Sequence, residues 1–236
     1  MLLTLGLGFS LGLKHATEAD HLAAVSAIVS ERQSLRESAK VGAIWGLGHS
    51  ASLFVAGLFV IVLGIAIPER LASILEFCVA LMIVTLGSRL LYVTLMKNQK
   101  VHVHTHTHAG LPHRHLHFHQ GQDAHPVAQS HEGVHSGLSR WRTFLVGVVH
   151  GLAGSAALTL LVLTEVMQRG SVLLGLSYLV IFGIGSLAGM TIMSGIIGLP
   201  FAIGLSYSRK LPQVLQLTAA VASVMFGIVY GLGIIS

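Results

Sequence analysis

Hydrophobic positions run in six long blocks, roughly 3–29, 41–67, 71–96, 142–168, 171–197 and 212–235, and polar positions gather between them. None of the blocks shows the strict apolar/polar alternation of a barrel strand. Each is long enough to cross about 30 Å of hydrocarbon at about 1.5 Å per residue, so the pattern predicts six transmembrane helices. The connection 30–40 is polar, Pro68-Glu69-Arg70 and Arg169-Gly170 read as tight turns, and the stretch from Pro200 to Pro212 closes the fifth span and opens the sixth.

The two halves echo one another. Gly12-Leu13-Lys14-His15 pairs with Gly147-Val148-Val149-His150, Trp45-Gly46-Leu47-Gly48 with Phe182-Gly183-Ile184-Gly185, and Arg70-Leu71 with Lys210-Leu211. The offset between paired elements drifts by only a few residues. Three helices per half is an odd number, so the second half enters from the opposite face. The expectation is an all-α polytopic membrane protein built as a 3+3 inverted-topology repeat in a single membrane domain. Residues 1–96 form the first half, 97–141 a loop and 142–236 the second half. Such repeats place a substrate site near the midplane at their interface.

Composition agrees. With 53% hydrophobic and 10% charged residues and a mean hydropathy of +0.77, the chain is too apolar for a soluble domain of 236 residues. The formal charge of +5 does not point to nucleic acid, because the basic residues lie in loops without interleaved aromatics. They set topology instead. Arg32, Arg36, Lys40, Lys97, Lys100, Arg114, Arg140, Arg142, Arg209 and Lys210 fall on one side, against Arg70 and Arg169 on the other. The charge count predicts an inner-membrane protein with both termini outside and the long third loop in the cytoplasm. The single cysteine, Cys78, excludes an intrachain disulfide and reads as a packing residue, and the first helix reads as a retained span.

The third loop holds eleven of the fifteen histidines. His102, His104, His106, His108, His113, His115, His117 and His119 form its dense part. A segment of this composition cannot build a core, so it is expected to be disordered and to act as an auxiliary, multi-site metal binder. Imidazole suits nickel, cobalt, copper or zinc rather than calcium or magnesium.

Within the first apolar block lies the dense polar run Lys14-His15-Ala16-Thr17-Glu18-Ala19-Asp20-His21. Ionisable groups at that depth cost roughly 2.5 to 3.5 kcal/mol each on insertion scales, which makes them functional candidates. His15, Asp20 and His21 are the candidate ligands for a borderline divalent ion. On an unbroken helix Asp20 lies about 140° and His21 about 240° round from His15, so the three cannot converge. Either the helix unwinds near 16–19 or only part of the set binds at once. Lys14 and Glu18 read as an i,i+4 charge pair. The second helix adds His49 and Ser50 after close-packing glycines, and the fourth adds His150 and Ser155 as pathway candidates. Glu76 and Glu165, near span ends, are explained by snorkelling.

His15-Ala16-Thr17-Glu18-Ala19-Asp20-His21 resembles the H-A-x-D/E-A-D-H signature of the nickel/cobalt transporter family, and Leu47-Gly48-His49-Ser50 resembles that family's second element. Glu18 stands where aspartate is common, a leading helix is missing, and the second half carries His150 to Ser155 in place of an aspartate element. These departures resemble the shorter, urease-associated nickel-permease-like branch. The resemblance implies a secondary permease for Ni²⁺ or Co²⁺ that uses His15, Asp20, His21 and His49. The ion is then substrate, with no resident cofactor, and a downstream metallochaperone is a compatible partner. Export and a non-transporting metal sensor or chaperone are the competing readings. An intramembrane metalloenzyme would be expected to carry a motif such as H-E-x-x-H within the spans, and none lies there; a pump would need G-x-x-x-x-G-K-[ST], which does not occur.

Overall fold

A computed structural model describes residues 2–32, 34–64, 67–96, 101–108, 111–118, 140–169, 171–207 and 210–235; within these, 2–4, 101–118, 155–169 and 205–207 are described as backbone only. Among the described residues the chain forms α1 (Leu2–His15), α2 (Ala19–Val29), α3 (Leu35–Leu63), α4 (Glu69–Met96), β1 (Val101–His108), β2 (Leu111–Phe118), α5 (Arg140–Arg169), α6 (Val172–Tyr207) and α7 (Leu211–Ile235). By length and composition α3, α4, α6 and α7 can each cross a membrane. This is a helical membrane protein.

Local chemistry accounts for the helix ends. Ser34 caps α3 by accepting a hydrogen bond from the Glu37 amide at 3.2 Å, with Glu37 completing a Ser-x-x-Glu pattern. Gly64 ends the same helix at φ 65°, a conformation that costs a Cβ-bearing residue. The first apolar block is two helices. Thr17 N donates to Lys14 O at 2.9 Å and Glu18 N to His15 O at 3.1 Å, closing a tight turn. Glu18 is then extended (φ −67°, ψ 151°) and becomes the N-cap of α2.

Two expectations need correction. The fifth span does not close at Pro200: α6 runs through it to Tyr207. A membrane helix tolerates the lost backbone donor where neighbouring helices re-satisfy the freed carbonyl. The histidine-rich segment, expected to be disordered, carries an antiparallel two-stranded sheet, in which β1 pairs with β2. Val101-His102-Val103-His104-Thr105 supplies the β-branched residues and period of two that a strand favours, and these outweigh its weak core-forming capacity. Residues 119–139, with His119, lie outside the described residues.

Packing centres on α3, which lies along both α5 and α6, while α1 packs on α6, α2 on α7 and α4 on α7. The closest approaches are made by glycines in matched pairs. A Cβ on Gly12 would collide with the Phe182 carbonyl and the Ser186 amide of α6, and one on Gly147 with the Trp45 carbonyl and the His49 amide of α3. Likewise Gly48 faces the Phe144 carbonyl and Gly185 the Phe9 carbonyl. Such contacts bring backbones together where lipid supplies no hydrophobic drive for helix association. Val25, Val29, Trp45, Ile83, Leu90, Met190 and Ala220 form the buried core, and Phe59, Leu81, Leu95, Leu173 and Val229 form part of the exposed apolar surface.

Candidate metal centre

The turn at 16–18 solves the angular problem posed by the sequence. By ending α1 at His15 and starting α2 at Ala19, it turns His15 and His21 toward one another, with ring centroids 4.5 Å apart. His49 arrives from α3 and His150 from α5. His21 lies 5.1 Å from His49 and 4.1 Å from His150, again between ring centroids. His21, His49 and His150 are buried to 1%, 0% and 1% exposure, so four imidazoles from α1, α2, α3 and α5 meet in the protein interior.

The carboxylates determine which nitrogens face inward. Asp20 Oδ1 accepts from the His21 amide and from His21 Nδ1, both at 2.9 Å, and Asp20 Oδ2 accepts from His150 Nε2 at 2.8 Å. An ionised carboxylate only accepts, so His21 carries its proton on Nδ1 and His150 on Nε2. The lone pairs on His21 Nε2 and His150 Nδ1 are then free, and neither atom has a hydrogen-bond partner. Glu18 Oε2 holds His15 Nδ1 at 3.0 Å in the same manner, leaving His15 Nε2 facing His49 Nε2 at 3.2 Å. Carboxylates that orient ligating imidazoles from behind are a common feature of metal sites, where they fix the tautomer and raise ligand basicity.

Two overlapping groups result, His15/His21/His49 and Asp20/His21/His150, each with its donor atoms within 4.8 Å of one another. Nitrogens placed cis at about 2.1 Å from a divalent ion lie about 3 Å apart, close to the 3.2 Å between the His15 and His49 nitrogens. The donor set of imidazole and carboxylate without thiolate suits nickel, cobalt or zinc.

The structure brings His15, Asp20, His21 and His49 together and adds His150 as a partner of Asp20. Glu18 takes a different partner from the one expected: the i,i+4 pairing with Lys14 needs a continuous helix, and the break delivers Glu18 to His15 instead. Lys14 is exposed, and it lines a cavity of about 380 Å³. Ser50 donates to the Gly183 carbonyl at 2.9 Å and is spent on α3–α6 packing. The Ser155 side chain lies outside the described residues, as does that of Glu165. In the hairpin, the register sets His102 opposite His117, His104 opposite His115 and His106 opposite His113, with His108 opposite Leu111.

Sequence reasoning missed the cavity. His15, Glu18, Asp20, Glu76, Tyr178 and Tyr230 are among its lining residues. Glu76 was assigned to snorkelling because it lies early in its span. Its position on α4 in fact brings a half-buried carboxylate to the cavity that reaches His15 and Asp20. The available signal was its place more than a helical turn inside the 71–96 block rather than at the block's end. The cavity-lining positions fall near the start of α4 and α6 and the end of α7, so it opens toward the face of the α3–α4 connection.

Residues 1–234 match the NicO family model, described as high-affinity nickel-transport protein. Urease accessory protein UreH of Bacillus sp. (strain TB-90) is 34% identical over 236 residues, covering 99% of this chain and 93% of that protein. Chloroplast protein FOR GROWTH AND FERTILITY 1 of Arabidopsis thaliana is 28% identical over 97% of this chain, which spans 57% of the plant protein. The high-affinity nickel transport protein of Cupriavidus necator is 36% identical over 85 residues, covering 36% of this chain and 24% of that protein. No solved structure matches.

Proposed function

The chain belongs to the high-affinity nickel-transport family, and from that premise we propose that it is a secondary permease that takes Ni²⁺ or Co²⁺ across the inner membrane through the histidine cluster at the α1–α2 break. The observation that carries this reading is the convergence of His15, His21 and His49 at the break between α1 and α2, with buried unpartnered nitrogens on His21 and His49. His15 Nε2, His21 Nε2 and His49 are the ligands. Asp20 holds the rings of His21 and His150, and Glu18 holds that of His15. A hydrated ion enters the cavity past Glu76, exchanges water for imidazole, and leaves when the two halves rock about the site.

In this reading the protein crosses the membrane six times, with α1 and α2 forming one broken span and α5 another. The 3+3 inverted repeat is supported by the reciprocal contacts Gly12–Phe182 and Gly147–Trp45, and Gly48–Phe144 and Gly185–Phe9. Each pair is what exchange of the two halves generates from the other. The lysine and arginine distribution supports both termini outside and the hairpin inside.

The test is Ni²⁺ and Co²⁺ flux into proteoliposomes containing the purified chain, beside His21→Ala. Flux by the wild type that collapses in the variant is expected. Equal flux in both would overturn the site, and metal binding by the wild type without flux would favour a sensor.

A further inference from the structure

The cavity gives the histidine cluster access from one face; toward the opposite face, that of the α2–α3 connection, the way is shut by the seam between α3 and α6. There a Cβ on Gly46 would press on Leu187 and Met190, one on Gly42 would strike Ser194 and the Met190 carbonyl, and one on Gly198 would strike Ser38. The helices run antiparallel and in contact from the level of His49 to that of Ser38.

A permanent seal would be lined with apolar side chains. This one buries hydroxyls. Ser38, Ser186 and Ser194 are each 0% exposed, and the Oγ of each has no hydrogen-bond partner. Ser186 and Ser194 stand one helical turn before and after buried Met190 on α6. Elsewhere on that helix hydroxyls bond back to the preceding turn: Ser177 donates to Leu173 O at 2.8 Å and Thr191 to Leu187 O at 2.7 Å. A buried hydroxyl that forgoes such a bond bears its full desolvation cost, and a buried polar group left unpaired calls for an explanation.

We propose that the α3–α6 seam, from Met190 to Ser194 and Ser38, is the closed half of the ion's path, and that these hydroxyls, with that of Ser186 one turn earlier on α6, meet the ion and its water when the two helices part. The proposal rests on the transport reading above. It makes the present conformation one of two, open on the cavity face and shut along the seam, as alternating access requires. Glycine in the shut state and hydroxyl in the open state serve different steps: the first lets the backbones close, and the second receives a cation that has left the imidazoles.

The test compares Ser194→Cys in a Cys78→Ser background with the alanine pair Ser186→Ala/Ser194→Ala and with the wild type, in the same proteoliposomes. Labelling of the Ser194→Cys thiol by a small maleimide should rise at least about tenfold when a Ni²⁺ gradient is imposed, as the open population grows. The alanine pair should lose about tenfold in Ni²⁺ flux while its Ni²⁺ binding in detergent stays within about twofold of the wild type, since two polar contacts to the passing ion are removed and no ligand is touched. A Ser194→Cys protein that transports yet stays unlabelled, or an alanine pair with wild-type flux, would overturn the seam alone. If Ser194→Cys fails to fold, the alanine pair decides. Loss of binding together with flux in the pair would overturn it too, by tying the serines to the site. Absence of flux in the wild type would instead overturn the transport reading, and the seam with it.

Discussion

Two sets of histidines in this chain use the same side chain in opposite ways. His15, His21, His49 and His150 come from four different helices, and three of them are at most 1% exposed. Rings 15, 21 and 150 are held from behind by carboxylates, so their donor atoms are fixed before any ion arrives. His102 to His117 lie on one hairpin, where neighbours two apart in sequence and opposite in register supply the proximity. In the proposed reading an ion gains more from the first set because the ordering cost is met by the fold, whereas local sequence alone gives the second set its density, so preorganisation rather than ligand number ranks the two regions.

The sharpest way to break that ranking is to remove the ring shared by both ligand groups. His21→Ala should lower Ni²⁺ flux by at least about a hundredfold, measured as initial uptake in proteoliposomes, because each three-donor group loses a member. Flux above about a tenth of wild type would move the site elsewhere. Next comes the group behind the rings. Asp20→Asn keeps the shape but has a single acceptor oxygen for two ring donors, so His21 or His150 is released to rotate. A loss of about 10- to 100-fold in apparent affinity, read by Ni²⁺ titration of the purified protein, is the expected size for such an outer partner. Wild-type affinity in Asp20→Asn would mean that the rings are held without it.

Much of the first set was legible. The apolar blocks gave the helices, and the mutual angles of His15, Asp20 and His21 on a regular helix required either a break or partial use of the set; the structure has the break at residues 16–18. What one strand of text could not give were contacts set by that break. Lys14–Glu18 looked like an i,i+4 pair because the spacing presumes a helix that continues, and extended Glu18 ends it. Asp20 stands in sequence beside His21, but its second ring partner, His150, lies 130 residues away and no spacing rule pairs them. Pro200 looked like a helix end because its local preference is stronger than anything nearby in the sequence, and tertiary packing carries α6 past it. Glu76 showed only its place inside a span; it is the fold that brings the start of α4 to the cavity lined by His15.

Glu76 offers a smaller and more selective test. Its carboxylate lines the route without belonging to either donor group, so it acts on arrival rather than on holding. Glu76→Gln should raise the apparent KM for Ni²⁺ about two- to fivefold at low salt while leaving maximal flux unchanged, and the difference should shrink as ionic strength rises and the field is screened. A variant equally impaired at high salt would make Glu76 a ligand or a packing residue instead.

The smallest effect should come from the denser set of histidines. Replacing residues 101–135 with a Gly/Ser linker of equal length removes all eleven loop histidines while leaving the four helix-held ones in place. If the hairpin only gathers ions near one mouth, it acts through local concentration. Uptake should then persist, with an apparent KM shifted about twofold or less and maximal flux retained, in assays run from either side of oriented vesicles. A linker variant that folds, binds Ni²⁺ at the helix-held site and yet carries no flux would reverse the comparison, since the loop histidines would then be an obligatory step. Retained flux would instead show that four imidazoles fixed by tertiary contacts suffice without the eleven of the loop.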